Sequence, residues 1–453
     1  DLPFDLSQVQ IAYYNSISWK SAGSQNMIGS KAEGGSAQSL DPLNNVSRLA
    51  FGSNVAPGHG EALGFSFNNY GAYIEIESST DLDIYGNFMN ENSDNEEPGE
   101  VVSFGEIKVE KDWTNYADNE VFKSIAEGGE VYLIGAYQRL RGTEPTQFNN
   151  FYTHGNGLKE MFVNEKIGGI YVLSNNETYT RNHLLYVNNS DSGAVVRAGS
   201  EIGFVSSSNG GFLKRDLISQ GSYLFPVGHK TRYRPVSLKP ESNQANSYSI
   251  RMVPKDPETD EFYRFKKSLF VNKVNNNFYH VIERDIEDTN SVYSVSLSMQ
   301  YEEVLDGVYQ DIGHWDNNAT PDVVNGTETI SFGPVIPADK QALTNDQPPY
   351  WRAMPELKNA NGQFEQNISK YTGYPENYKV IKVTGVNDFT TPQFALIKKG
   401  YLLNTAGFGN PGSTGGTGST GSTTGGVTFT FGGDGFTDGS ITYTTDDTTS
   451  QNI

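Results

Sequence analysis

The stretch GEVYLIGAY, residues 129–137, sets apolar Val131 and Leu133 two positions apart, the period-two pattern of a half-buried strand. It does not stand alone. AYIEIES (72–78), GEIKVEKDW (105–113), KEMFVNE (159–165), GGIYVLS (168–174), HLLYVNN (183–189) and GAVVRAGSEIGFV (193–205) repeat the pattern between turn residues such as Asn-Asn, Gly-Gly and Asp-Ser-Gly. From Val109 onward they return roughly every 15 to 25 residues, a rhythm that suits the coils of a parallel β-solenoid. Each coil would lend one face to a stacked core. An antiparallel sandwich with irregular loops fits the same spacing, so periodicity leaves both open.

A second regime runs from about 245 to 399. SVYSVSLSM (291–299) alternates cleanly, with Tyr293, Val295, Leu297 and Met299 on one side and serines on the other. NSYSIRMV, NFYHVIE, YKVIKVTGV and FALIKKG read the same way between Pro, Asn and Gly turns, which predicts an antiparallel β-sandwich. Residues 1–64 give a poor strand signal and no helical period, and are expected to form an irregular N-terminal segment. The expected organisation is a solenoid over 65–220, a sandwich with its entry corner over 221–400, and a Gly/Ser/Thr-rich linker over 401–426. VTFTF and SITYT, flanking GGDGFTDG, then predict a hairpin or assembly strand within 427–453.

Composition narrows the function classes. The 453 residues suffice for sizeable cores, and a formal charge of −21 argues against nucleic acid or an anionic membrane as partner. Aromatics at 12% and 48 glycines favour short strands and tight turns. Cysteine is absent, so disulfides do not hold the fold. No apolar run is long enough to span a bilayer as a helix. The chain opens DLPFDLSQ without a basic-then-apolar leader, which reads as a processed mature end.

The chemical motifs are few. Gly407–Gly412 and Gly416–Gly421 match G-x-G-x-x-G, but dinucleotide binding needs that turn between a strand and a helix, and a Gly/Ser/Thr tract matches by chance. The sequence contains no P-loop, H-E-x-x-H or G-x-S-x-G. His59, His154, His183, His229, His280 and His314 are too scattered to predict a zinc site. Carboxylates cluster at 80–86, 91–100 and 282–290, most simply as solvated loops. TDLDIYG fails as an EF-hand because Tyr85 stands where calcium wants an oxygen ligand. No cofactor is expected, apart from calcium in the oxygen-dense loop 91–100 as the one opening. Paired-carboxylate glycoside chemistry has no pair that the sequence singles out.

GSYLFPVGHKTRYRPVSLKP (221–240) poses the sharpest choice. His229, Lys230, Arg232 and Arg234 could form an anion site, or be charges at the flank of a hairpin that begins the second β-region. Pro235 removes a ladder donor and so belongs at an edge or a strand start, which favours the structural reading and predicts the corner between solenoid and sandwich here.

These residues also carry a resemblance. GFVSSSNGGFLKR, GSYLFPVG and YRPVSL resemble a junction in large exported surface proteins of Bacteroidetes, typically cargo of the type IX secretion system that includes gliding-associated, adhesin-like proteins. Upstream, Trp113, Thr114, Asn115, Gln138, Gly142, Phe148, Asn149 and Asn150 occupy places that recur in their coils, with Leu140 and Phe151 as apolar substitutes. Downstream, FYHVIE, VYSVSLSMQY, DIGHWDNN, PYWRAM and VTGVNDFTTPQFAL are similar to the sandwich that follows. The resemblance spans about 65–400 and implies an all-β protein: a short parallel β-solenoid capped by an antiparallel β-sandwich. It implies no catalytic residues. Such cargo usually ends in a sorting domain, whereas this chain ends TTDDTTSQNI.

The resulting expectation is a non-catalytic extracellular structural or adhesive protein of a bacterial cell surface, and not an enzyme. Its partners would be further copies of itself or other surface proteins, with a glycan as a candidate ligand. The alternative is a polysaccharide-binding or polysaccharide-degrading solenoid, which a groove of converging carboxylates, Arg and Tyr would favour. Since an isolated hairpin is marginal in water, Val427, Phe429, Phe431, Ile441 and Tyr443 are expected to pack against another subunit by strand addition, or to fold back on the chain's own sandwich edge.

Overall fold

The computed structural model describes residues 66–399, with breaks at 93–98, 118–128, 199–201, 268–270, 286–292, 317–348 and 355–377 and at a few single positions; elsewhere it gives only strand backbone. The chain is nearly all β, and a parallel solenoid of about five turns leads into antiparallel sheets.

Each coil carries three strands. The first face is a seven-stranded parallel sheet: Phe67–Tyr70, Phe88–Glu91, Trp113–Asn115, Tyr137–Gly142, Gly157–Met161, Asn176–Tyr179 and Phe204–Ser206. The third face stacks six: Asp81–Ile84, Glu106–Val109, Glu130–Leu133, Asn150–Thr153, Tyr171–Leu173 and Val195–Arg197. Strands of the second face lie between these in the chain. Tyr73–Ile76, Glu100–Ser103 and Phe122–Lys123 make a three-stranded sheet, and Gln147–Phe148 opens a larger one.

Register turns the period-two pattern into rows. Phe67, Phe88, Trp113, Leu140 and Met161 stand one above another inside the first face, all buried. The rings of Phe67 and Phe88 stack at 5.6 Å and those of Phe88 and Trp113 at 3.8 Å. Each such pair adds about 1 kcal/mol to what its buried area contributes. Two positions along, Asn69, Asn90 and Asn115 form a buried ladder, Nδ2 of Asn69 donating to Asn90 at 2.9 Å and Nδ2 of Asn90 to Asn115 at 3.3 Å. The next rung is Gly142, at φ +133°, where a Cβ would lie 1.7 Å from the Asn115 carbonyl oxygen. Asn115 turns instead to the carbonyl of Pro145 at 3.3 Å.

The passage out of the solenoid occurs at Phe212–Leu217. This strand pairs in parallel with Leu184–Val187 and antiparallel with Asn246–Val253. One ten-stranded sheet therefore runs from Gln147–Phe148 through the solenoid's second face into Asn246–Val253, Tyr279–Asp285, Gln393–Lys399, Asp311–Asp316 and Tyr350–Ala353. The second sheet of the sandwich contains Tyr223–Phe225, Val236–Pro240, Val295–Glu302, Tyr378–Val386 and Ile368–Lys370. The GSYLFPVG segment thus comes just after the crossing: it lays down Tyr223–Phe225 to start the second sheet. A further parallel step joins Val205 to Val227, with Val205 N donating to Pro226 O at 2.7 Å. The two regions share one apolar core, from Phe67 to Leu396. A smaller cluster around Trp315, Trp351, Val281 and Ile397 also packs in the sandwich region.

Within 1–64, which gave a poor strand signal, the described residues include five strands, three of them in one antiparallel sheet: Val9–Tyr14 between Trp19–Ser21 and Arg48–Ser53. Pairing between distant segments supplies what local alternation did not. The predicted hairpin is present as Val427–Phe431 against Gly439–Tyr443.

Arg215 holds the crossing together. Its side chain is buried. Nη1 donates to the Leu224 carbonyl at 2.9 Å, and Nη2 to those of Asp191 and Ser192 at 2.8 and 3.2 Å. The guanidinium also lies over the rings of Tyr223 and Phe225, at 5.1 and 5.9 Å. It thereby ties the last turns of the solenoid to the first strand of the second sheet. Arg215→Ala leaves three carbonyl groups without this donor and is expected to lower unfolding free energy in urea by about 3 kcal/mol or more, with Arg215→Lys recovering part. A loss under about 1 kcal/mol would refute the clamp.

Candidate functional site

Inward rows make the core, so the intervening positions make the surface. On the first face the outward positions form two adjacent rows by register. One is Tyr137, Leu158 and Glu177; the next is Arg139, Glu160, Tyr179 and Ser206. Arg141, Phe162 and Arg181 each follow two residues after a member of the second row. Tyr137 and Phe162 are among the most exposed large apolar groups of the described residues, at 47% and 37%.

The charges on this face hold one another in place. Glu160 accepts from Tyr137 Oη at 2.7 Å and pairs with Arg181 at 2.9 Å. Arg139 Nε donates to the same Tyr137 oxygen at 2.9 Å. Arg181 and Arg141 flank the Phe162 ring at 4.5 and 5.5 Å, and Arg141 lies 3.6 Å from Asp112. Glu177 accepts from Ser206 Oγ. The result is a preorganised band of aromatic rings and guanidinium groups.

The band ends at a cleft of about 430 Å³ between the last coil and the sandwich, lined by Tyr179, Ser207, Ser208, His229, Arg251, Val253, Pro254 and Lys255. Tyr179 belongs to both. Burial pushes the His229 imidazole below its ordinary range, toward the neutral form. Lys255 is held by Asp260 at 2.6 Å. Arg251 has a different environment, with Nη1 at 3.5 Å from the Ser208 carbonyl and the guanidinium 5.3 Å from the Phe212 ring.

The four basic groups of the GHKTRYR segment do not converge. Arg234 is buried and forms a two-point ion pair with buried Asp306, Nε to Oδ2 at 2.6 Å and Nη2 to Oδ1 at 3.0 Å. Its own carbonyl accepts from His280 Nε2 at 2.8 Å, and burial pushes His280 down to about 4. Lys230 occupies a left-handed turn position between the short strands Gly228–His229 and Arg232–Tyr233. Of the four, His229 alone lines the cleft. His314 is also buried, its Nε2 donating to the Thr391 carbonyl at 2.6 Å. Sequence reading missed Tyr179 and the run RMVPK that carries Arg251 and Lys255, two distant segments that share no motif.

Among the described carboxyl groups, burial raises Glu283 and, well above the usual range, Glu165. Glu165 lies inside the solenoid, accepting from Thr146 N at 2.8 Å, away from the outward band. The described residues include no group of three or more His, Cys, Asp or Glu placed to hold a metal, and no helix long and apolar enough to cross a membrane. Most of the acidic loop 91–100 and the side chains of Val427, Phe429, Phe431, Ile441 and Tyr443 lie outside the described residues. Comparisons with family models, curated proteins and solved structures find no match to this chain.

Beneath the band, Lys159 is buried between the register positions of Gln138 and Thr178. Its Nζ donates to Gln138 Oε1 at 2.8 Å and to the Gly135 carbonyl, and burial pushes its pKa down to about 8. The folded state therefore binds fewer protons than the unfolded chain between pH 8 and the ordinary lysine value of 10.5, and stability gains with pH through that window. In Lys159→Met this gain is absent. Relative to the variant, wild type is expected to gain about 3 kcal/mol between pH 8 and 10.5, read from paired urea titrations. A flat difference would place the charged amine in a well-solvated site.

Proposed function

We propose that this chain is a non-catalytic structural and adhesive protein of a bacterial cell surface that works within a larger surface assembly. The observation that carries the reading is the outward band of the first face. Its rings and charges are fixed by one another on a sheet whose inner side is a stacked core, so binding costs little side-chain ordering. Glu160 and Glu177, the carboxylates in its rows, are engaged by Arg181, Tyr137 and Ser206. Extracellular location and type IX export are supported by the resemblance over residues 65–400. The C-terminal hairpin supports assembly: its two strands form a sheet of their own, and a lone hairpin gains stability by joining a larger sheet.

A polysaccharide-processing solenoid is the second reading, favoured by the cleft at the end of the band. The two separate cleanly. Beads coated with the full chain are expected to adhere to polysaccharide-coated surfaces, while long incubation with the same polysaccharides releases no shortened products. Catalytic release of products would move the assignment to an enzyme. For the assembly role, deleting residues 409–453 is expected to lower the mass of the particle measured by light scattering. If the truncated chain assembles as the full-length chain does, the tail is not the assembly element.

A further inference from the structure

Within the adhesive reading, we propose that the cleft and band bind a glycan whose terminal sugar carries a carboxylate, with the sugar ring on Tyr179 and its carboxylate on Arg251. Arg251 is the reason for an acidic sugar. It lines the cleft and forms no ion pair among the described residues; Asp260 and Glu283 act on its charge only at longer range. Nearby Asp260 is already engaged by Lys255 Nζ at 2.6 Å and by Tyr279 Oη at 2.6 Å. A guanidinium held this way presents a planar donor pair that matches a carboxylate.

Tyr179 is the reason for a sugar rather than a free anion. An aromatic face packs against the C–H face of a pyranose, while Ser208 and the His229 imidazole, which line the same cleft, can exchange hydrogen bonds with ring hydroxyls. The volume of about 430 Å³ suits a small ligand rather than a protein loop.

The band is the reason for a chain of sugars. From Tyr179 the register leads across adjacent strands to Glu160 and Arg139, with Tyr137 one row to the side. Parallel strands repeat at about 4.8 Å, close to the length of one sugar ring. Successive sugars can therefore meet equivalent positions on successive coils. Tyr137 lies two strands from the cleft and would meet only the longer oligosaccharides.

The test uses the full chain and calorimetric titration with oligogalacturonates of increasing length, the matched neutral oligogalactosides, and poly-glutamate. The acidic oligosaccharides are expected to bind, and the neutral ones roughly tenfold more weakly or worse. Arg251→Gln should remove that preference while neutral binding persists. Tyr179→Ala should weaken both sugars, and Tyr137→Ala should weaken long oligogalacturonates but leave short ones unchanged. Each variant is checked by its thermal midpoint, and Arg251→Lys serves as a second variant that keeps the charge but loses the fork. Equal binding of acidic and neutral sugars, an unaltered preference in Arg251→Gln, no binding of oligogalacturonate, or equal binding of poly-glutamate would each overturn the proposal. Product release is followed separately in the same mixtures, so an error in the non-catalytic reading shows independently of the binding result.

Discussion

The strand Phe212–Leu217 is the constraint on which the architecture turns. A strand has two hydrogen-bonding edges, and here one edge satisfies a parallel neighbour and the other an antiparallel one. The solenoid therefore does not end in open donors and acceptors on its second face, because the sandwich takes them up. The same strand carries Arg215 inward, where the guanidinium ties the carbonyls of residues 191, 192 and 224 together. A buried cation is costly in isolation. Three backbone acceptors and two aromatic faces offset that cost, and the pKa of about 10 registers what remains of it.

From this crossing the two sides of the coil take different work. Inward rows stack like on like: rings at Phe67, Phe88 and Trp113, amides at Asn69, Asn90 and Asn115. Stacking keeps each coil in register with the next, since a slip by one residue would turn every core side chain outward. The outward rows inherit that order. Tyr137, Glu160, Arg139 and Arg181 can hold one another because the rungs beneath them cannot slide. The surface band is thus a consequence of the core ladder, and its regular spacing needs no separate cause.

The residues that suggested recurring coils have structural work in this chain. Trp113 is part of the ring stack and donates from Nε1 to Thr146 Oγ1 at 3.0 Å. Asn115 belongs to the amide ladder, and Gln138 reaches the carbonyls of Val109 and Lys111 at 2.8 and 2.7 Å, on the preceding coil. Asn150 receives the Ile170 amide at 2.9 Å. Through Asn115, Gln138 and Asn150 a coil satisfies backbone groups of its neighbour, which is why side-chain amides stand at these places.

The all-β character and the inward sets Val131/Leu133 and Val295/Leu297/Met299 were legible in residue alternation, whereas alternation left the solenoid and a sandwich both open over 65–220 and the resemblance chose the solenoid. Alternation is a local property, written in residues two apart, and burial acts on it directly. Three things were not legible. The strands within 1–64 depend on pairing across tens of residues, as between Val9–Tyr14 and Arg48–Ser53. The basic run His229 to Arg234 looked like one cluster, yet Arg234 is drawn inside by Asp306, a partner 72 positions away. The cleft joins Tyr179, His229, Arg251 and Lys255 from separate strands and turns. Sequence by itself determined the strands and their buried sides, because hydrophobic burial selects a face from the local pattern. Tertiary structure decided which charges are buried, which are paired and which meet in the cleft, because Coulomb and hydrogen-bond energies depend on distance in space, which separation along the chain does not encode.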